Sequence, residues 1–184
     1  MAVLPLVIAP DPRLKVVSKL VAEEDINDEL RKFMDDLLET MYASNGLGLA
    51  AVQVGIHKRI LVMDIAQGSV RYDGTHNPNA EADPLFMINP EIIWKSDEKF
   101  CFDEGCLSFP AQFAEVERPL KVRVKFYDYY GMEREMDFEK LASVCVQHEI
   151  DHLNGIVFVE YVSRMKRDYI MKKLDKYKKR NEIK

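Results

Sequence analysis

The stretch Gln147-His148-Glu149-Ile150-Asp151-His152-Leu153-Asn154-Gly155 sets the frame in which the other segments are read. His148 and His152 are four residues apart, so on a helix they lie one above the other on one face, and both imidazoles can reach a single metal ion. Glu149, between them, is poorly directed for a third ligand and well placed to take a proton from a water that the metal activates. The pattern predicts hydrolysis. A pattern this short also occurs in helices that bind no metal, so the surrounding chain has to supply a third ligand and a substrate site.

Working outward, Leu141, Val144, Cys145 and His148 follow helical spacing, which places the motif on a helix with an apolar inner face; Asn154-Gly155 ends it. Before that helix, Val122, Val124 and Phe126 alternate with Lys121, Arg123 and Lys125, the pattern of a half-buried strand. Tyr130-Gly131 then turns the chain into a partner strand ending near Phe138. Further upstream, Leu85 to Asn89, Glu91 to Lys95 and Arg59 to Ile65 read as strands, while the polar run Ala66 to Pro84 reads as a surface loop with His76 solvated. Ile26, Leu30, Phe33, Met34, Leu37, Leu38 and Met41 recur at helical spacing and predict an N-terminal amphipathic helix. Asp25 or Asn27 can cap it, and Asn45-Gly46 stops it. The start of the chain, around Pro10-Asp11-Pro12, is irregular and shows no obvious chemistry.

With 184 residues, 47% hydrophobic and 31% charged, the chain has the composition of one globular domain. Met1 to Ala9 lacks a basic leader and no apolar run approaches membrane-spanning length, so a cytoplasmic protein with no membrane partner is expected. The three cysteines, Cys101, Cys106 and Cys145, favour a metal or catalytic thiol over a disulfide framework. The net charge of −5 hides an asymmetry: Ser163 to Lys184 holds ten Lys or Arg against three Asp or Glu, a local +7 on a body of −12. In that tail Met165, Tyr169, Ile170 and Leu174 fall at helical spacing. Residues 1–162 are read as the catalytic part and 163–184 as a basic C-terminal helix of the same domain.

A catalytic site of this kind uses three protein ligands and an open position. Six residues after His152, where one protease class places a third histidine, this chain has Phe158; some twenty or more residues downstream, where another class places a glutamate, it offers only Glu182. Cys145 shares the helix but lies roughly 10 Å along the axis from His152, too far for a common ion. Cys106, in Phe102-Asp103-Glu104-Gly105-Cys106-Leu107-Ser108-Phe109-Pro110, comes from a separate segment and can approach the histidines from the side. A further segment, Gly46-Leu47-Gly48-Leu49-Ala50-Ala51-Val52-Gln53, lacks the features of a phosphate loop. Its small residues either permit close approach by a backbone or ligand or simply form a tight structural turn, and Gln53 offers an uncharged donor and acceptor.

These three segments, in this order, resemble the signature motifs of the peptide deformylases, and the length and basic tail resemble the bacterial type. The resemblance implies an α+β fold in which antiparallel sheets surround the metal-binding helix. It implies Cys106, His148 and His152 as metal ligands, Glu149 as general acid and base, and Gln53 with the backbone N–H of Leu107 as the oxyanion site. Leu47, Phe102, Leu141, Val144 and Cys145 would surround a methionine side chain, with Gly48 and Gly105 bonding the peptide backbone. The implied substrates are nascent formyl-methionyl polypeptides. The implied cofactor is one divalent ion, Fe2+ in the cell, with Zn2+, Ni2+ or Co2+ as substitutes. The tail helix is implied to dock on the ribosome, and no DNA partner is expected. One departure is Phe113, where some bacterial members carry a basic residue. Two other readings compete: a metallopeptidase using the same helix motif, and a non-catalytic, metal-stabilised ribosome-binding protein.

Overall fold

The apolar spacing after Ile26 produces helix α1 (Asp28–Ala43), and the Asn27 side chain caps it by accepting from the N–H of Leu30 at 3.1 Å. Ser44 is its C-cap, and Asn45 follows with φ of +54°, in the left-handed region where asparagine is tolerated. In this computed structural model residues 2–66 and 81–182 are described. Most of the predicted surface loop, residues 67–80 with His76, lies outside them.

Five strands form one antiparallel sheet: β1 (Gly48–Ala50), β2 (Ile60–Met63), β3 (Leu85–Lys95), β6 (Lys121–Tyr127) and β7 (Glu133–Glu139), in the order β1-β2-β3-β6-β7. The two runs read on either side of Pro90 are a single strand, β3, with a register shift between Ile88 and Glu91. A bulge absorbs the proline, which cannot donate to a ladder. β4 (Lys99–Cys106) and β5 (Phe109–Pro119) form a separate antiparallel pair joined by Leu107-Ser108. The sequence pattern predicts no strands there, because the inward positions of β5 include Gln112, Ala114 and Arg118 and do not alternate as apolar residues.

Helix α2 (Leu141–Leu153) carries the His-Glu motif and packs on β1, β2, β5 and β7. The five-stranded sheet is buried on both faces near β2. Leu61 and Met63 pack with Val146, Ile150 and Leu153 of α2, whereas Ile60 and Val62 pack with Met34, Leu37 and Met41 of α1. Alternate residues of one strand thus serve two helices. On β6, Val122, Val124 and Phe126 face α2, while Arg123 and Lys125 pair with Asp137 and Glu133 across β7.

Helix α3 (Arg164–Arg180) starts at Ser163, whose side chain accepts from the Lys166 N–H. Its buried stripe is Ile170 and Leu174, which join Phe109, Val116, Phe158 and the N-terminal Val7 in a third apolar cluster. Met165 and Tyr169, read as part of the same spacing, are 82% and 58% exposed; the covered stripe runs instead through Ile170, Leu174 and Tyr177 at helical spacing. Among the described residues no helix is long and apolar enough to cross a membrane.

Candidate active site

Helix α2 meets the turn after β4 at the floor of a cleft of about 430 Å³. His148, Glu149 and His152 are all buried. The sulfur of Cys106 lies 3.2 Å from His152 Nε2, and ligand atoms of Cys106, His148 and His152 all fall within 4.8 Å of one another, the one such group among the described residues. The set fits a divalent metal: one soft thiolate and two imidazoles converge from two elements, as a tetrahedral site with one open position requires. The second ring nitrogen of His148 is already committed. Its Nδ1 meets Glu104 Oε2 at 2.8 Å, which leaves Nε2 for the ion. Burial pushes His152 well below the ordinary histidine range and so favours the neutral form that a metal ligand requires.

Glu104 is itself held by Arg118, through a close contact at Nε and a 3.1 Å bond from Nη2 to Oε2. Arg118 Nη1 donates to Asp151 Oδ2 at 2.8 Å, and its guanidinium lies 4.8 Å from the centre of the Tyr161 ring. Burial works to raise the Glu104 pKa, but the hydrogen bonds from His148 and Arg118 overcome it and hold the carboxylate below its usual range. Sequence reasoning assigns no role to Glu104, Arg118, Asp151 or Tyr161, because no spacing rule connects them to His148.

Glu149 faces the cleft from the next position along α2. Burial raises its pKa to about 7, and its Oε2 is buried with no hydrogen-bond partner. A carboxyl poised near neutrality suits both accepting and returning a proton. Strand β1 presses against it: a Cβ on Gly48 would lie 2.6 Å from Glu149 Oε1 and 2.9 Å from Cys145 Sγ. The small residues of the Gly46–Gln53 segment therefore admit helix α2 itself. Cys145 is fully buried and its thiol pKa is pushed well up, mainly by burial, so it is an apolar wall.

Gln53 is fixed at both ends of its amide. Its Oε1 accepts from the Ala50 N–H at 2.8 Å, and its Nε2 lies 3.2 Å from Ser108 Oγ and 3.5 Å from Cys106 Sγ. Leu107 sits in the turn after Cys106. Leu47, Gly48, Phe102, Gly105, Leu141, Val144 and Cys145 line the cleft together with Gln53, Cys106, Leu107, His148 and Glu149; His152 lies behind, fully buried. Sequence reasoning missed Leu6 and Ile8, which line the cleft because Val7 N–H bonds the Gln53 carbonyl at 2.7 Å and Ala9 N–H bonds the Ser108 carbonyl at 2.9 Å. It also missed Tyr177 of α3 at the same cleft.

A buried helix with a histidine pair and a glutamate, faced by a cysteine at the end of a strand and opening on an apolar cleft, defines an α+β metallohydrolase. The sequence model of the Polypeptide deformylase family matches residues 3–168, and the chain belongs to that family. It is similar to the peptide deformylase of Phenylobacterium zucineum, with 45% identity covering 97% of this chain and 99% of that one. That of Bradyrhizobium diazoefficiens is 46% identical over 99% of this chain and all of its own length. Among solved structures, peptide deformylase from Ehrlichia chaffeensis superposes with a TM-score of 0.87 at 42% identity, covering 98% of this chain and 99% of that one. A second structure of it, in complex with actinonin, gives 0.84. The chain is thus a hydrolase that removes the N-terminal formyl group from formyl-methionyl polypeptides. The competing metallopeptidase reading is not favoured.

Proposed function

We propose that Cys106, His148 and His152 hold the metal, and that Glu149, Gln53 and Leu107 carry the deformylation of nascent chains. The convergence of the three ligand atoms within 4.8 Å, beside a buried carboxylate with an unpartnered oxygen, supports this reading more than any other observation. When bound, the metal supplies Lewis acidity, which makes a water nucleophilic near neutral pH and polarises the formyl oxygen. Leu47, Phe102, Leu141, Val144 and Cys145 take the methionine side chain, and backbone groups of Gly48 and Gly105 align the peptide as an added strand. Glu149 takes the proton of the attacking water on Oε2 as the new C–O bond forms. Gln53 Nε2–H and the Leu107 N–H donate to the oxygen on which negative charge develops. Glu149 then returns its proton to the nitrogen as the formyl C–N bond breaks, leaving formate and a free amine.

The thiolate and imidazole set accepts several first-row ions, and availability rather than affinity decides among them. Iron(II) is assigned as the ion in the cell, with zinc, nickel or cobalt as substitutes. Residues 1–162 and the basic segment 163–184 are taken as one cytoplasmic catalytic domain, since Ile170 and Leu174 share a cluster with Phe109 and Phe158. The outward lysines and arginines of α3 are assigned to ribosomal RNA phosphates, with binding that weakens as salt rises.

The test is formate release from a formyl-Met tripeptide by anaerobically prepared, iron(II)-loaded protein, beside the unformylated peptide. Wild type releases formate and a new amine and leaves the unformylated peptide intact. Glu149→Gln retains metal and loses turnover by about 100-fold or more, in line with removal of a general acid–base. Full turnover by a metal-replete Glu149→Gln protein would overturn the assignment.

A further inference from the structure

The buried stripe of α3 has a charge at its first place. Ile170 and Leu174 are buried, and Met171 packs beside them. Arg167 precedes Ile170 by three residues and Met171 by four, so it falls on the same face of the helix. Where the spacing calls for an apolar side chain, the sequence has a guanidinium. Its Nε is buried and has no hydrogen-bond partner among the described residues. A buried N–H without an acceptor costs free energy, which a ligand carrying one would relieve.

Arg167 and Met171 line a second cavity, of about 320 Å³, a size at the lower end for small-molecule sites. Pro10 and Pro12 of the N-terminal segment, Phe109 of β5 and Val157 supply apolar lining. Phe109 alone among the described residues lines both this cavity and the catalytic cleft. The two carboxylates of the cavity are already engaged. Asp11 accepts from Arg13 Nη2 at 2.7 Å, and Glu160 Oε1 accepts from the Val157 N–H at 2.9 Å and from Lys15 Nζ in a closer contact. The charge of Arg167 acts on Glu160, but no bond joins Nε to it. An apolar cavity with an unbonded guanidinium N–H is complementary to a carboxylate on a hydrocarbon body. The acids beside it disfavour a doubly charged phosphate by repulsion.

We propose that this cavity is a binding site for a small monocarboxylic acid. One carboxylate oxygen accepts from Arg167 Nε–H, and the hydrocarbon part packs against Pro12, Phe109 and Met171.

The test titrates full-length, zinc-loaded protein, with isotope-labelled Leu, Val and Met methyl groups, with hexanoate and phenylpropanoate and with the two corresponding amides. Both acids shift the methyl signals of Val157, Val159 and Met171 in a saturable way. Each amide binds about 10- to 100-fold more weakly, the range for loss of a hydrogen bond to a charged group. Arg167→Met keeps the apolar stem, weakens acid binding by a similar factor and leaves formate release from a formyl-Met tripeptide unchanged. Glu160→Gln keeps an acceptor for the Val157 N–H, removes a like charge and tightens acid binding. Shifts confined to Leu141 and Val144 of the catalytic cleft, equal affinity for acids and amides, undiminished binding by Arg167→Met, or no shift at all would each overturn the proposal. If circular dichroism shows Arg167→Met unfolded, the acid–amide comparison on the wild type and the Glu160→Gln titration decide.

Discussion

Arg118 illustrates how much of this site is carried by a residue that does not line the cleft. Its side chain is only 4% exposed and joins three groups: Glu104, which orients His148; Asp151, on the same helix as both histidines; and the ring of Tyr161, whose hydroxyl also bonds Asp151 at 2.8 Å. Replacing it by methionine keeps the volume but takes the cation away from two carboxylates: Glu104, which is buried, keeps only the bond with His148, and Asp151 only the one from the Tyr161 hydroxyl. Arg118→Met is expected to cost about 3–5 kcal/mol of folding stability and to weaken metal binding about 10- to 100-fold through the loosened His148 ring. Urea unfolding and competitive metal titration measure the two effects separately; lost stability with unchanged metal affinity would make Arg118 a structural residue only. Arg118→Lys restores the charge but not the fork that spans both oxygens of Glu104, so it recovers little of either.

At the scale of elements, α3 shows why spacing alone cannot select a buried stripe. Several apolar residues of the segment satisfy helical periodicity, but Ile170 and Leu174 are 3% and 0% exposed whereas Met165 is 82% exposed. The cluster built by Phe109, Val116 and Phe158 decides which face turns inward. Leu174→Ala therefore costs about 2–5 kcal/mol as a cavity in that cluster, while Met165→Ser stays within about 0.5 kcal/mol. Thermal unfolding of the two variants side by side checks the assignment, and equal shifts would contradict the packing. The hairpin β4–β5 teaches the same lesson in reverse. Its inward positions carry Glu104 and Arg118, which build a polar framework behind the proposed metal site, and Gln112, which bonds the Pro110 carbonyl, so the alternation that marks β6 is absent.

Across the whole molecule, the proposed ligands come from the end of β4 and from α2, two elements already held by separate apolar clusters. A metal held by them would tie packed parts together without creating the fold. Chelation is expected to leave the far-ultraviolet circular dichroism unchanged and to lower the melting temperature. The stabilisation lost is about 4 kcal/mol when the free ion stands at a thousand times its Kd, and each kcal/mol corresponds to about 2–4 °C for a chain of this size. Cys106→Ser reproduces the chelated behaviour without chelator. Collapse of the secondary structure on chelation would show that folding depends on the ion.

The sequence by itself determined the helix motif. The four-residue interval between His148 and His152 and the intervening Glu149 follow from local periodicity and donor type, and local rules are readable in one dimension; the roles proposed for Cys106 and Gln53 were reached through the resemblance to the deformylases. Helix α1, its Asn27 cap and the alternation of β6 were legible for the same reason. Only the tertiary structure decided what stands behind and around the site: the chain from His148 through Glu104 and Arg118 to Asp151 and Tyr161, the N-terminal residues Leu6 and Ile8 at the cleft, Tyr177 reaching it from α3, and Phe113 lying over Gly105. Those contacts join residues distant in sequence, and their identities are set by complementary shape and charge across elements, which no periodicity within a single element records.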